Sequence, residues 1–144
     1  MKSYVTAAAA LFCLAAPAFA DGHASGDAEN GEKVFKKCKS CHMVQDADGN
    51  TIVKGGKTGP NLYGLSGRTA GTADFKYSKD MIAAGEGGLA WDEEQFAAYV
   101  PDPTAFLKET TGNDKARSKM SKQRLKDGEA ADIWAYLVSV GPES

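Results

Sequence analysis

The sequence predicts an all-α fold, a single small domain of short helices joined by long loops. Three observations carry that prediction. Asp27, Ser78, Asp92, Asp102 and Asp127 stand where helices would start, strand-type alternation is nearly absent, and the stretches 43–72 and 112–126 are polar and without period. With 144 residues, 42% hydrophobic and 25% charged, the chain has room for one ordinary domain. It shows no internal repeat or low-complexity segment.

Asp27 caps a first helix running through Lys37, and Glu29 complements its positive end. Gly31, Phe35 and Cys38 share one face of it. Beyond Met43, Asp48-Gly49, Gly55-Gly56 and Gly59-Pro60 are turn signals, and only Thr51-Ile52-Val53 suggests extended chain. So long an irregular stretch needs an organiser other than its own backbone pairing, and a large buried cofactor is one. Ser78 caps a short helix that ends before Gly85. Asp92 starts another, with Gln95 in capping-box spacing and Phe96, Tyr99 and Val100 as its apolar stripe. Pro101 stops it, Asp102-Pro103 opens a further short helix toward Glu109, and Gly112 ends that one. Asp127 caps the last helix, whose Ala130, Ile133, Trp134 and Leu137 lie on one side before Gly141-Pro142.

The first twenty residues run from Lys2 through an apolar stretch to Ala18-Phe19-Ala20, the pattern of a cleaved secretory leader. A membrane anchor would need about 20 apolar residues, and this run breaks at Pro17. Cys13 lacks a lipoprotein-like context. The expected organisation is therefore a leader over 1–20 and one domain over 21–144, exported and without a membrane anchor. A formal net charge of -2 and a pI near 5.7 supply no general field for nucleic acid.

Cys38-Lys39-Ser40-Cys41-His42 carries the chemistry. Two thiols on one side of a helical turn, followed at once by an imidazole, have the spacing of covalent c-type haem attachment, in which the thiols bond the porphyrin vinyl groups and the histidine ligates iron. A disulfide, a thioredoxin-like redox pair and half of a zinc site compete with that reading. The redox pair would sit at a helix start beside a strand pattern, and a zinc site would need a second Cys or His pair. His23, in the tail, is the only other histidine.

One histidine leaves the opposite face of the iron open, and a thioether is a candidate for it. Met1 leaves with the leader, Met43 abuts the proximal histidine, and Met81 sits in a short helix as a core filler. Met120 remains, in the aperiodic segment Ser118-Lys119-Met120-Ser121, with simple solvent exposure as its alternative.

At this point the chain resembles the class I c-type cytochromes, above all the alphaproteobacterial cytochrome c2 type related to mitochondrial cytochrome c. The haem motif is followed by Lys57-Thr58-Gly59-Pro60-Asn61-Leu62-Tyr63-Gly64 and then Gly67-Arg68, which resembles the family's loop along the proximal edge of the haem. The resemblance implies one haem c attached at Cys38 and Cys41, with the domain wrapped around it and its first and last helices crossing at Gly31, Phe35, Ile133, Trp134, Tyr136 and Leu137. It implies His42 and Met120 as iron ligands. Pro60 would accept the His42 Nδ1 proton, Arg68, Tyr77 and Trp91 would line the propionates, and Tyr99 would bring its hydroxyl toward the methionine sulfur. Relatives usually carry an aromatic two positions after the axial methionine, where this chain has Lys122.

With both axial sites filled, electron transfer fits better than substrate activation, and no distal histidine is available for an enzyme or a ligand sensor. The resemblance implies a monomeric periplasmic electron carrier of respiration or photosynthesis, not an enzyme. A membrane cytochrome bc complex would be its donor, and a reaction centre, terminal oxidase or denitrification reductase its acceptor. Docking would use the haem edge, ringed by Lys36, Lys37, Lys39, Lys57, Lys119, Lys122 and Arg124, while Asp92, Glu93, Glu94 and the acidic tail would sit away from it.

Overall fold

The computed structural model describes residues 24–142; the expected leader over 1–20 and His23 lie outside them. Helix α1 (Ala28–Val34) starts where predicted. The Asp27 carboxylate accepts the Glu29 and Asn30 N–H groups at 2.9 and 3.1 Å, meeting two of the donors that a first turn leaves unpaired. The chain then tightens into a 3₁₀ turn over Phe35–Lys37, so the expected reach to Lys37 is made by two helical geometries.

Two short strands follow, β1 (Val44–Gln45) and β2 (Thr51–Val53), paired antiparallel with Val44 opposite Val53. The connection between them closes on Asp46, whose Oδ1 accepts the Asp48 and Asn50 N–H groups. The strand at 51–53 was expected; its partner lies inside the stretch read as irregular.

Helices α2 (Lys79–Glu86), α3 (Glu93–Tyr99) and α4 (Pro103–Thr111) each begin on the predicted side-chain cap, Ser78, Asp92 and Asp102. Helix α2 continues through Gly85 to Glu86 instead of ending before the glycine, because Gly85 is buried with its bare Cα against the Ala70 carbonyl. Helix α5 (Glu129–Ser139) also departs from expectation. Its cap position is Gly128 at φ 83°, with no side-chain cap bond, and Asp127 is displaced one residue outward. A left-handed φ at this junction suits glycine and would strain an aspartate.

The two terminal helices pack as the resemblance implied. Gly31 meets the Asp132 carbonyl so closely that a Cβ there would overlap it. The Asp132 carboxylate reaches back across the contact, accepting the Asp27 N–H at 2.8 Å and the Asn30 amide at 2.6 Å, and the Phe35 and Tyr136 rings meet tilted, with centroids 5.5 Å apart. Phe35, Leu107, Ile133 and Val44 are the largest fully buried apolar chains, and Phe96 meets Trp134 at 5.6 Å. These contacts leave a central slot between the 38–42 turn on one side and the loop after α4 on the other.

A thiol, imidazole and thioether cavity

The slot is a cavity of about 300 Å³. One wall is the turn leaving the 3₁₀ segment: the Cys41 and His42 N–H groups both donate to the Cys38 carbonyl, at 3.1 and 2.9 Å. This winding puts Cys38, Cys41 and His42 on the same wall. The two cysteines are not bridged to each other, and among the described residues no group of three or more His, Cys, Asp or Glu gathers into a metal site.

His42 is buried at 8% exposure, and its Nδ1 lies 2.8 Å from the Pro60 carbonyl oxygen. A carbonyl can only accept, so Nδ1 carries the proton and Nε2 keeps its lone pair. Burial holds the imidazole's proton affinity below the ordinary range, the Pro60 carbonyl opposes that, and the Arg68 charge adds to it. A neutral imidazole with a free Nε2 is the form that ligates a metal. Gly59 supports the ring from behind: a Cβ there would stand 2.5 Å from His42 Cε1. The two thiols differ in setting. Burial pushes Cys38 up to about 11, whereas hydrogen bonds from Thr58 and Ser40 hold exposed Cys41 below the usual thiol range.

Met120 lines the far side of the same cavity. Its N–H donates to Ser118 Oγ at 3.0 Å, and Ser118 Oγ lies 3.0 Å from the Tyr99 hydroxyl. Tyr99 therefore lines the cavity as expected, with the Ser118 hydroxyl as its hydrogen-bond partner. Burial raises the Tyr99 pKa and the Ser118 bond opposes it, so the phenol stays protonated and able to donate.

The remaining predicted residues arrive together. A ladder of backbone bonds, Gly67 N–H to Trp91 carbonyl at 2.8 Å and Trp91 N–H to Arg68 carbonyl at 3.0 Å, sets Arg68 beside Trp91. The Arg68 guanidinium is fixed by the Tyr63 and Asn61 carbonyls, each at 3.2 Å. Burial raises the Tyr77 pKa while the Arg68 charge pulls against it. All nine residues named from the sequence, Cys38, Cys41, His42, Pro60, Arg68, Tyr77, Trp91, Tyr99 and Met120, line this one cavity.

Sequence reasoning missed two contributors. Met81, assigned as a core filler, is buried at 7% exposure but also faces the cavity, so two thioethers line it. Its position on a helix stripe shows an inward face without showing what that face meets. Ser118 carries the bond to Tyr99, and its only signal was a hydroxyl two residues before Met120, the spacing of a side-chain turn. The rest of the lining divides between apolar chains, among them Leu62, Leu65, Phe96 and Ile133, and polar ones such as Thr58, Ser78 and Gln123.

A flat apolar macrocycle with two covalent anchors, one imidazole and one thioether around its metal fits this donor set. The cytochrome c family model matches residues 28–141. The chain belongs to the cytochrome c family. It is 55% identical over 130 residues to cytochrome c-551 of Roseobacter denitrificans, a match covering 90% of this chain and 89% of that protein. It is 54% identical to cytochrome c2 of Rhodobacter capsulatus, covering 97% of this chain and 98% of the relative. The crystal structure of cytochrome c2 from Rhodobacter sphaeroides superposes with a TM-score of 0.79 at 54% identity, over 83% of this chain and 99% of the other. This cytochrome is accordingly a class I, c2-type protein with one covalently bound haem c and its iron, and its function is electron carriage.

Proposed function

We propose that this cytochrome is a soluble, monomeric periplasmic shuttle, exported by its 1–20 leader, that takes single electrons from a membrane cytochrome bc complex to a reaction centre, terminal oxidase or denitrification reductase and is not itself an enzyme. The observation that carries the reading is His42 and Met120 lining one cavity, with Nδ1 committed to the Pro60 carbonyl. In this reading Cys38 and Cys41 would bond the haem through two thioethers, His42 and Met120 would ligate its iron, and Arg68, Tyr77 and Trp91 would stand at the propionates.

The haem supplies a reversible one-electron couple. Around it, the Pro60 carbonyl would make the His42 imidazole a better donor, and the Met120 thioether, a poor donor to ferric iron, would favour the reduced state. The apolar part of the lining, Leu62, Leu65, Phe96 and Ile133 among it, would limit water at the group, and exposed Cys41 would mark the edge through which electrons pass. No helix among the described residues is long and apolar enough to cross a membrane, which accords with a carrier that must diffuse.

The cations expected around that edge divide into two groups. Lys37 pairs with Glu129 at 2.6 Å and Lys122 with Asp102 at 2.5 Å, so acidic groups approach the face more closely than the sequence implied, and these two lysines offer less free charge. Lys36, Lys39, Lys57, Lys119 and Arg124 are exposed and form no ion pair among the described residues, although Lys119 Nζ donates to the Lys76 carbonyl. The test mixes the ferric protein with membranes holding a reduced cytochrome bc complex. Second-order reduction of the haem, together with no carbon monoxide binding by the reduced protein, is expected. Carbon monoxide binding without reduction by the complex would instead indicate an open-site enzyme or sensor.

A further inference from the structure

Asp80 is the one acidic side chain buried among the described residues, at 6% exposure, and it is not part of the cavity wall. It lies in the first turn of α2, where the helix dipole favours a negative charge. Its carboxylate is turned outward from that helix onto the loop after α4. Oδ2 accepts the Arg117 backbone N–H at 3.0 Å and Oδ1 the Asn113 side-chain amide at 3.4 Å.

That loop, from Gly112 to the start of α5, contains no helix or strand, so side chains do much of the work of holding its backbone. Ser118 N–H donates to Thr104 Oγ1 at 3.2 Å, and Met120 N–H to Ser118 Oγ at 3.0 Å. Both acceptors are neutral hydroxyls. The Asp80 carboxylate is the charged acceptor on the Met120 side of the loop, the other being Glu129, which takes the Lys126 N–H at 2.9 Å near the start of α5; charge-assisted bonds are roughly twice as strong as neutral ones. It also sits on a regular helix, and it grips the chain three residues before Met120. Where the loop leaves Arg117 decides how Ser118 and then Met120 reach the cavity.

We propose that Asp80 is the positioning residue that holds Met120 in place over the iron: its bond to the Arg117 N–H docks the 113–118 segment on α2, so that the thioether outcompetes other ligands. This rests on Met120 being an axial ligand. A merely structural Asp80 would affect unfolding and leave ligand competition alone, and the two roles separate experimentally.

The probe is imidazole, titrated into the ferric haem protein and read by loss of the far-red sulfur-to-iron band, with thermal unfolding measured alongside. Asp80→Ala is expected to raise imidazole affinity about tenfold, the equivalent of losing one buried charge-assisted bond. Asp80→Asn keeps a neutral acceptor and is expected to raise it about threefold. Asp46→Ala removes a carboxylate that also accepts backbone N–H groups, but in the hairpin turn, and is expected to leave imidazole affinity unchanged. If Asp80→Ala does not yield a folded haem protein, the Asn variant decides alone. Unchanged imidazole affinity in the Asp80 variants, with lowered thermal stability, overturns the proposal. Absence of the band from the native protein overturns the Met120 reading itself, an outcome distinct from the first.

Discussion

Gly59 and His42 show how far single positions govern this site. A methyl at Gly59 would meet three atoms of the imidazole ring between 2.5 and 2.9 Å, and the ring cannot retreat without lengthening its 2.8 Å bond to Pro60. Gly59→Ala should therefore lower stability by about 1–3 kcal/mol, the range for overpacking, as read by guanidinium unfolding of the haem protein. Gly49→Ala is the comparison: it has open space but a φ of 87°, a backbone penalty of about 1 kcal/mol. A smaller loss at Gly59 than at Gly49 would mean the ring has room to move. At this scale the site was legible wherever chemistry is local. The thiols and imidazole announce themselves in five consecutive residues. Gly59 read as a turn signal and, through the resemblance, as part of the loop along the proximal haem edge, but not as the support of a ring seventeen positions earlier in sequence; Met81 read as packing because a helical stripe does not distinguish protein from cofactor.

Among the elements, the contact of α1 with α5 rests on Asp132 as well as on Gly31. The Asp27 N–H and then the Asn30 amide hold the Asp132 carboxyl below the usual range, and Lys37 with the Lys126 N–H does the same for Glu129. A carboxyl whose folded pKa is depressed contributes stability that is fully present above its unfolded value, near pH 4, and is lost as pH falls through the folded value. Urea midpoints followed from pH 6 downward should therefore fall less steeply below about pH 4 in Asp132→Asn than in the native protein. Identical slopes would mean that Asp132 adds no pH-dependent stability. Helix starts were legible because a cap is one residue bonding to its near neighbours, as at Asp27, Ser78, Asp92 and Asp102. The α5 start was misplaced by one because Asp127 offered the same side chain, while the left-handed turn at Gly128 set the boundary. The β1 strand is two residues long, too short for any alternation to show.

For the whole molecule, the net charge of -2 says less than where the charges stand. Lys39 is exposed within the haem motif and unpaired among the described residues, while Lys37 and Lys122 are each matched by a carboxylate. Steered association weakens as the screening length shortens to about 10 Å at 0.1 M salt. Lys39→Glu should slow reduction by a cytochrome bc complex most at low salt, with the gap to native closing as salt rises; a gap independent of salt would remove charge steering from the account. The fold as a whole was legible as helices around an organiser, since the long aperiodic stretches made sense only with something large at the centre. The sequence chose Met120 over Met81 by elimination and by the resemblance, whereas both thioethers line the cavity. The far-red spectrum of the ferric protein tests the central claim most directly. The sulfur-to-iron band should be present in the native protein and in Met81→Leu and absent from Met120→Ala. A band that survives in Met120→Ala and vanishes in Met81→Leu would contradict it.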